Sequence, residues 1–329
     1  MRKNWPIEHP RASHPDPAIL ERAAVALSCS DQDVAPWLVG SRMLRKDSTL
    51  FEISFHSSSG VIRAYYKQFH CPVTGPAAYA WTRTISAGLA RSQSLTEQVN
   101  AHCSGQGVRL AKVLAVDATQ LVCVTEAVNG RPFGQVIGNR MTRYALTPGQ
   151  RSCHRRIVQG VGRAVRHLEA CSGPHVPTEE YFQRIAVPNL LGRVRDGGRL
   201  ATEEVASIGD RLDELQEKAA NDGEGLVFAH CDLAPQNMLF ENGMVGIYDG
   251  EFRPRLRGFD VSHLAFRLEY QAVVARWART LIDALIEGYG DPDVTRSPGW
   301  HLARLWLGLR FLENHRRYRK ALAEVRSYL

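Results

Sequence analysis

The chain of 329 residues lacks any long hydrophobic run: no window reaches the ~18 uninterrupted apolar residues that a membrane-spanning helix requires. Stable membrane insertion is therefore not expected. Arg2 and Lys3 are followed by no sustained apolar stretch, and the short apolar run at 23–27 comes after Glu21 and Arg22, so the pattern of an export signal is missing as well. The cysteines (Cys29, Cys71, Cys103, Cys123, Cys153, Cys171, Cys231) form no C-x-x-C pair and no zinc-ligand spacing. An odd, scattered set fits reduced thiols, and hence a cytoplasmic protein, better than a disulfide framework. Internal repeats and low-complexity tracts are absent too. Basic residues interleaved with aromatics are not found, so nucleic acid is not an expected partner. What is present is 44% hydrophobic and 23% charged residues, enough for a substantial core and for two lobes. The net charge of +7 favours anionic company without choosing among nucleotide, anionic substrate and acidic lipid. The sequence carries no signal for oligomeric state.

Strand and helix patterns are unevenly distributed. Asp16-Pro17 opens a helix over 18–28, and strand character follows at 37–39, 50–55 and 61–69, with Ser57 to Gly60 as a hairpin loop. A helix at 94–103 and strands at 113–116 and 121–125 complete this part, and Asn129-Gly130-Arg131-Pro132 breaks the pattern. Beyond it the helical period dominates, near 151–171, 178–194, 202–220, 261–289 and 300–325, with short strands at 226–229, 238–240 and 245–248. The expected class is α+β: a small N-terminal β-sheet lobe with one key helix over 1–128 and a larger, mainly helical C-terminal lobe over 129–329, hinged near 126–130.

The chemistry is concentrated in residues 227–249, V-F-A-H-C-D-L-A-P-Q-N-M-L-F-E-N-G-M-V-G-I-Y-D. His230, Asp232 and Asn237 form H-x-D-x-x-x-x-N, and Asn242-Gly243 suits a tight hairpin turn between two apolar strands. The second strand ends at Asp249, which the hairpin returns beside Asn237. Phosphoryl transfer needs a metal to neutralise phosphate oxygens and a carboxylate to orient the attacking hydroxyl. Asn237 and Asp249 offer hard oxygen ligands for magnesium. Asp232 is then left to position the hydroxyl, and His230 to hold the loop through backbone hydrogen bonds.

This segment resembles the catalytic loop and metal-binding strand of the aminoglycoside phosphotransferase and choline kinase families, within the protein-kinase-like fold. Their H-x-D-L-x-x-x-N and I-D-x-E appear here as H-C-D-L-A-P-Q-N and I-Y-D-G-E, with one extra residue between Ile247 and Asp249. The resemblance implies an ATP- and magnesium-dependent transfer to a small-molecule hydroxyl. It assigns Lys67, in V-I-R-A-Y-Y-K-Q-F, to the nucleotide phosphates, Glu97 to an ion pair with that lysine, and backbone groups of Glu126 and Val128 to the adenine. It makes the first lobe nucleotide-binding and the second catalytic and acceptor-binding. Asp260 matches the aspartate that braces the catalytic loop. The segment Gly40 to Lys46 stands where a phosphate-covering loop belongs but is not G-x-G-x-x-G; Ser41 and Arg42 are its candidate phosphate contacts, an ordinary basic hairpin turn being the competing reading.

Ten residues separate Asp249 from Asp260, with no A-P-E and no long activation segment, so an extended peptide has no platform. Arg253, Arg255 and Arg257 would repel a polycation if they faced the acceptor, which favours a neutral or anionic one such as a sugar, a metabolite or a lipid-linked intermediate. An aminoglycoside-type antibiotic kinase and a catalytically silent nucleotide-binding module are the alternatives.

Overall fold

The computed structural model describes residues 14–27, 37–45, 47–57, 60–138, 146–173, 186–222, 225–271, 275–314 and 318–329. It divides into two compact units, Met1–Glu97 with Ala111–Val128, and Gln98–Leu110 with Asn129–Leu329.

The first unit is a five-stranded antiparallel sheet in the order β1-β2-β3-β6-β5, formed by β1 (Trp37–Leu44), β2 (Ser48–Ser57), β3 (Gly60–Phe69), β5 (Val113–Asp117) and β6 (Val122–Glu126). Helix α1 (Pro17–Ala26) starts at Asp16, whose side chain accepts from the Ala18 N–H at 2.9 Å, and Pro17 occupies the first helical position. Such a cap is worth about 1 kcal/mol. One face of α1 (Ile19, Leu20, Ala23, Ala24) packs with Phe51, Ile53, Phe55, Tyr66 and Val124 into one apolar cluster. Alternation puts these sheet residues on a common face, since successive side chains of a strand point to opposite sides.

Helix α2 (Pro76–His102) is 27 residues long and begins well before the expected 94–103. The unit boundary falls inside it. The segment 98–110 joins the second unit because β4 (Val108–Leu110) pairs in parallel with β10 (Met244–Ile247), while Asn100 ties back to Leu110 by donating from Nδ2 at 3.0 Å and accepting at 2.7 Å.

In the second unit β4, β10, β9 (Met238–Glu241) and β7 (Arg131–Pro132) form one sheet, and β8 (Leu226–Ala229) pairs antiparallel with β11 (Arg253–Leu256). Around them lie α3 (Phe133–Gly138), α4 (Pro148–Ala170), α5 (Val187–Asp196), α6 (Thr202–Asn221), α7 (Phe259–Gln271), α8 (Ala275–Tyr289), α9 (Pro298–Glu313) and α10 (Tyr318–Arg326). Helix α4 opens on a capping box between Thr147 and Gln150. It packs closely on α8: a Cβ built at Gly288 would lie 1.9 Å from the Gln159 carbonyl oxygen, so only glycine allows the approach. Helices α5, α6, α7, α9 and α10 share a second core around Leu190, Ile208, Phe266, Tyr270, Leu305 and Leu309.

Expected strands and helices are found apart from their ends, except that the helices expected over 261–289 and 300–325 are each found as two, α7 with α8 and α9 with α10; α3, β4, β7 and β11 are additional. Residues 178–185 of the expected helix over 178–194, residue 28, residues 272–274 and 315–317, and likewise Cys29, Lys46, Ser58 and Ser59, lie outside the described residues. Among the described residues no helix is long and apolar enough to cross a membrane.

Candidate active site

The loop after β8 is held from beneath by one carboxylate. Asp260, in the first turn of α7 and wholly buried, accepts from the His230 N–H through Oδ2 and from the Cys231 N–H at 2.9 Å through Oδ1. Leu233 and Ala234 are buried beyond it, and a short 3-10 turn, Pro235–Asn237, leads into β9. The hairpin from β9 to β10 turns at Asn242 and Gly243, both with positive φ (50° and 81°), as the Asn-Gly pair suggests.

After β10 the chain is pinned to both ends of the 230–237 loop. The Tyr248 N–H donates to the Asn237 carbonyl at 3.0 Å, and the Glu251 N–H donates to the His230 carbonyl at 3.2 Å. Asp249 lies between these two anchors with φ 63°. Cys231 (φ 66°) and Phe252 (φ 40°) are also left-handed without being glycine. Residues in such conformations cost roughly 1–3 kcal/mol each and persist where surrounding bonds over-determine them, commonly at sites of chemistry.

Asp232 is half-buried. Asn237 donates from Nδ2 to Asp232 Oδ2 at 2.7 Å and to the Asp232 carbonyl at 2.9 Å. Desolvation raises the Asp232 pKa above the usual carboxylate range; the Asn237 bond and the positive charge of Arg267 oppose this, while Glu251 and Asp249 add to it. His230 is buried, its pKa lowered by desolvation, and neither ring nitrogen has a hydrogen-bond partner among the described residues. Its part in the loop is therefore carried by its backbone. The ring packs edge-on to Phe252 and against Gly250, where a Cβ would come within 3.0 Å of His230 Cδ2.

Among the described residues no group of three or more His, Cys, Asp or Glu side chains closes around one point as a metal cage. Asn237 commits its Nδ2 to Asp232, which leaves its Oδ1 as an oxygen donor, and Asp249 supplies a carboxylate after β10. Few, hard oxygen donors suit magnesium, which keeps water and phosphate in the rest of its octahedron. Glu251 is engaged by Arg253 at 2.5 Å.

In the first unit Lys67 lies on the central strand β3, only 8% exposed, its Nζ 4.5 Å from the Phe69 ring centre. A buried lysine on a central strand is unusual for a residue with only a solvating role. Glu97 does not meet it: it is exposed on α2, its Oε1 accepts from Gln93 Nε2 at 3.3 Å, and it forms no ion pair among the described residues. The buried face of α2 near Glu97 carries Ser92, Leu95, Thr96 and Val99, which leaves a carboxylate at 97 turned to solvent. The stretch holding Ser41 and Arg42 is strand rather than loop; register shifts between Val39 and Arg42, and the turn comes later, where the Arg45 N–H reaches the Ser48 carbonyl. Arg42 lies over the Phe51 ring at 5.7 Å. The Glu126 N–H is taken by the Lys112 carbonyl and the Ala127 N–H by the Arg63 carbonyl, whereas Val128 makes no hydrogen bond among the described residues.

The arginines that follow β10 do not form a free cationic rim. Arg253 holds Glu251, Arg255 is buried over the Phe259 ring, and Arg257 pairs with Asp291 at 3.2 Å. The cation beside Asp232 is Arg267 of α7, which sequence reasoning did not single out. Its Nε donates to Nε2 of the buried His263 at 3.3 Å, and desolvation together with the charge of Arg267 keeps His263 neutral. The available signal was spacing: 260, 263 and 267 share one face of a helix.

The profile of the phosphotransferase enzyme family matches residues 89–323. No curated protein matches the chain. Among solved structures, a choline kinase from Cryptosporidium parvum superposes with a TM-score of 0.52 at 12% identity, covering 92% of this chain and 93% of that one. An amicoumacin kinase in complex with AMP-PNP and Ca2+ gives 0.54 at 13%, covering 88% and 86%. A fructosamine-3-kinase candidate from Thermobifida fusca gives 0.52 at 16%, covering 93% and 98%. At such identity these three likenesses concern fold alone.

Proposed function

The chain belongs to the phosphotransferase enzyme family, as a small-molecule kinase of protein-kinase-like fold, and from that premise we propose that it transfers the γ-phosphate of ATP to a hydroxyl of a neutral or anionic small molecule. The observation that carries this reading is Asp232: a half-buried carboxylate with one oxygen bound by Asn237, on a loop fastened by Asp260. Its other oxygen is left to accept the hydrogen bond of the acceptor hydroxyl. That orients the attacking oxygen toward phosphorus; as the new P–O bond forms and the bond to the β-phosphate oxygen breaks, the proton leaves along the hydrogen bond to Asp232.

Asn237 Oδ1 and Asp249 are the proposed magnesium ligands, and the metal, when bound, neutralises charge on the phosphate oxygens. AMP-PNP and Ca2+ in the amicoumacin kinase structure support a nucleoside triphosphate with a divalent ion. Lys67 is proposed to hold the phosphates, its burial being consistent with a strong anionic partner. The unpartnered backbone of Val128 is suited to adenine. The structure gives Ser41, Arg42 and Glu97 no comparable support. For the acceptor, Arg267 beside Asp232 favours a neutral or anionic molecule over a polycation.

The test is nucleotide turnover over a panel of sugars, phosphorylated metabolites, amino alcohols and aminoglycosides. Transfer to one acceptor class, abolished in Asp232→Asn and Asp249→Ala with folding intact, supports the proposal. Full activity in both variants would sink it, magnesium-dependent nucleotide binding without transfer to any acceptor would favour a silent module, and preference for aminoglycosides would overturn the acceptor class.

A further inference from the structure

A cavity of about 830 Å3 lies wholly within the second unit, away from the catalytic loop. Its walls are the turn that joins α2 to β4, one side of α4, and the β9–β10 turn at Gly243 and Met244. That volume is within the usual range for a small-molecule pocket. Its electrostatics are one-sided. Arg109, Arg156 and Arg163 line it, and among the described residues no aspartate or glutamate does. A concave site lined by charge of one sign concentrates counter-ions of the other.

Two of the guanidinium groups are prepared for a ligand. Gln106 Oε1 accepts from Arg163 Nε at 2.6 Å, which fixes the plane of the fork and leaves its terminal N–H groups available. The Arg156 side chain makes no hydrogen bond or ion pair among the described residues, whereas its neighbour Arg155 pairs with Glu287 at 3.0 Å. Arg155 thus has an acidic partner on the α8 side, and Arg156, on the cavity side, has none among the described residues. The wall opposite is low: Gly105 and Gly107 adopt φ values of 76° and 74°, and a Cβ at Gly160 would lie 2.8 Å from Val108 Cγ2, so α4 reaches the turn only because residue 160 has no side chain. Several guanidinium groups and uncovered backbone N–H groups in one concavity offer more donors than a single carboxylate can use, which suits a group with many oxygens such as phosphate.

We propose that this cavity is a second binding site, separate from the phosphotransfer centre, for a small molecule that carries phosphate groups. It does not depend on the identity of the acceptor or on the catalytic assignment. The probe is inorganic pyrophosphate, titrated calorimetrically into the full chain in the presence of a chelator, with citrate as the carboxylate comparison. Saturable pyrophosphate binding is expected, weakened at least about tenfold in Arg156→Gln and in Arg163→Gln and retained in Lys67→Ala and Asp249→Ala. Arg156 is exposed, so its substitution leaves the fold intact; a thermal melt checks this for both arginine variants. The proposal is overturned if wild type binds no pyrophosphate into the millimolar range, if both arginine variants bind like wild type, or if Lys67→Ala or Asp249→Ala abolishes binding. Tighter binding of citrate than of pyrophosphate would overturn the phosphate assignment.

Discussion

The two ends of the β9–β10 hairpin are opposite in charge and in construction. At the open end stand Asn237 and Asp249, with Asp232 and Glu251 beside them; at the turn end Gly243 and Met244 border a cavity lined, among the described residues, by three arginines and no acid. Four-residue strands separate the ends by about 13 Å. The open end is over-determined: Asp260, Asn237, Tyr248 and Glu251 fasten it through main-chain and side-chain bonds, and three left-handed residues are held there. The turn end is held by the pairing of β10 with β4 and by the Val245 N–H on the Gly107 carbonyl at 2.8 Å. Rigid carboxylates suit chemistry on a fixed geometry. Arginines lining a concavity suit reversible capture of an anion.

Asp232→Asn should have the largest effect. It keeps shape and removes the hydroxyl-orienting charge, so kcat/KM should fall roughly 100- to 10,000-fold while pyrophosphate binding at the turn end is unchanged. Steady-state kinetics paired with the calorimetric titration would break the comparison if both ends responded together. Asp260→Ala tests whether the open end is over-determined. Two buried N–H groups lose their acceptor, which should cost about 2–4 kcal/mol in denaturant unfolding, with activity falling as the loop loosens. A variant as stable as wild type would show that the brace is dispensable. Gly288→Ala should be smaller and acts at the contact of α4 with α8, on neither end of the hairpin. The added methyl meets the Gln159 carbonyl, and overpacking of this kind costs about 1–3 kcal/mol, so Tm should fall while KM stays constant.

The open end was also the part most legible in the sequence. The H-x-D-x-x-x-x-N spacing names 232 and 237 and the Asn-Gly pair names the turn, and the structure has both the hairpin and the Asn237–Asp232 bond; the roles of 232, 237 and 249 in phosphoryl transfer belong to the proposal. Elsewhere the signals are weaker. Strand β11 is R-P-R-L, with a proline and two arginines, and it is a strand because β8 offers a partner over Arg253↔Ala229 to Leu256↔Leu226. The first turns of α2 were missed although Trp81, Ile85 and Leu89 recur four residues apart and are buried; the stripe is one residue wide, diluted by the serines, threonines and Gly88 around it. The ion pair assigned to Glu97 came from resemblance alone, and on this helix the residue faces solvent. Arg267 stands 35 positions from Asp232, and only folding brings its charge to bear there.

Arg267 also supplies the finest of the expected effects. Catalysis needs Asp232 ionised, and burial raises its pKa, so the acid limb of kcat/KM should set in at higher pH than an ordinary aspartate would give. The groups acting on it are Asn237 and Arg267, which favour the carboxylate, and Glu251 and Asp249, which disfavour it. Arg267→Gln removes the cation and keeps much of the packing over Phe311, where the guanidinium lies 5.2 Å from the ring centre. The acid limb should then move to still higher pH, and Arg267→Lys should bring it back toward the wild-type position. A structural role alone would lower activity at every pH without moving the limb. Superimposable profiles for wild type and Arg267→Gln would mean that the charge of α7 does not reach the catalytic carboxylate, and the acceptor preference argued from it would fall as well.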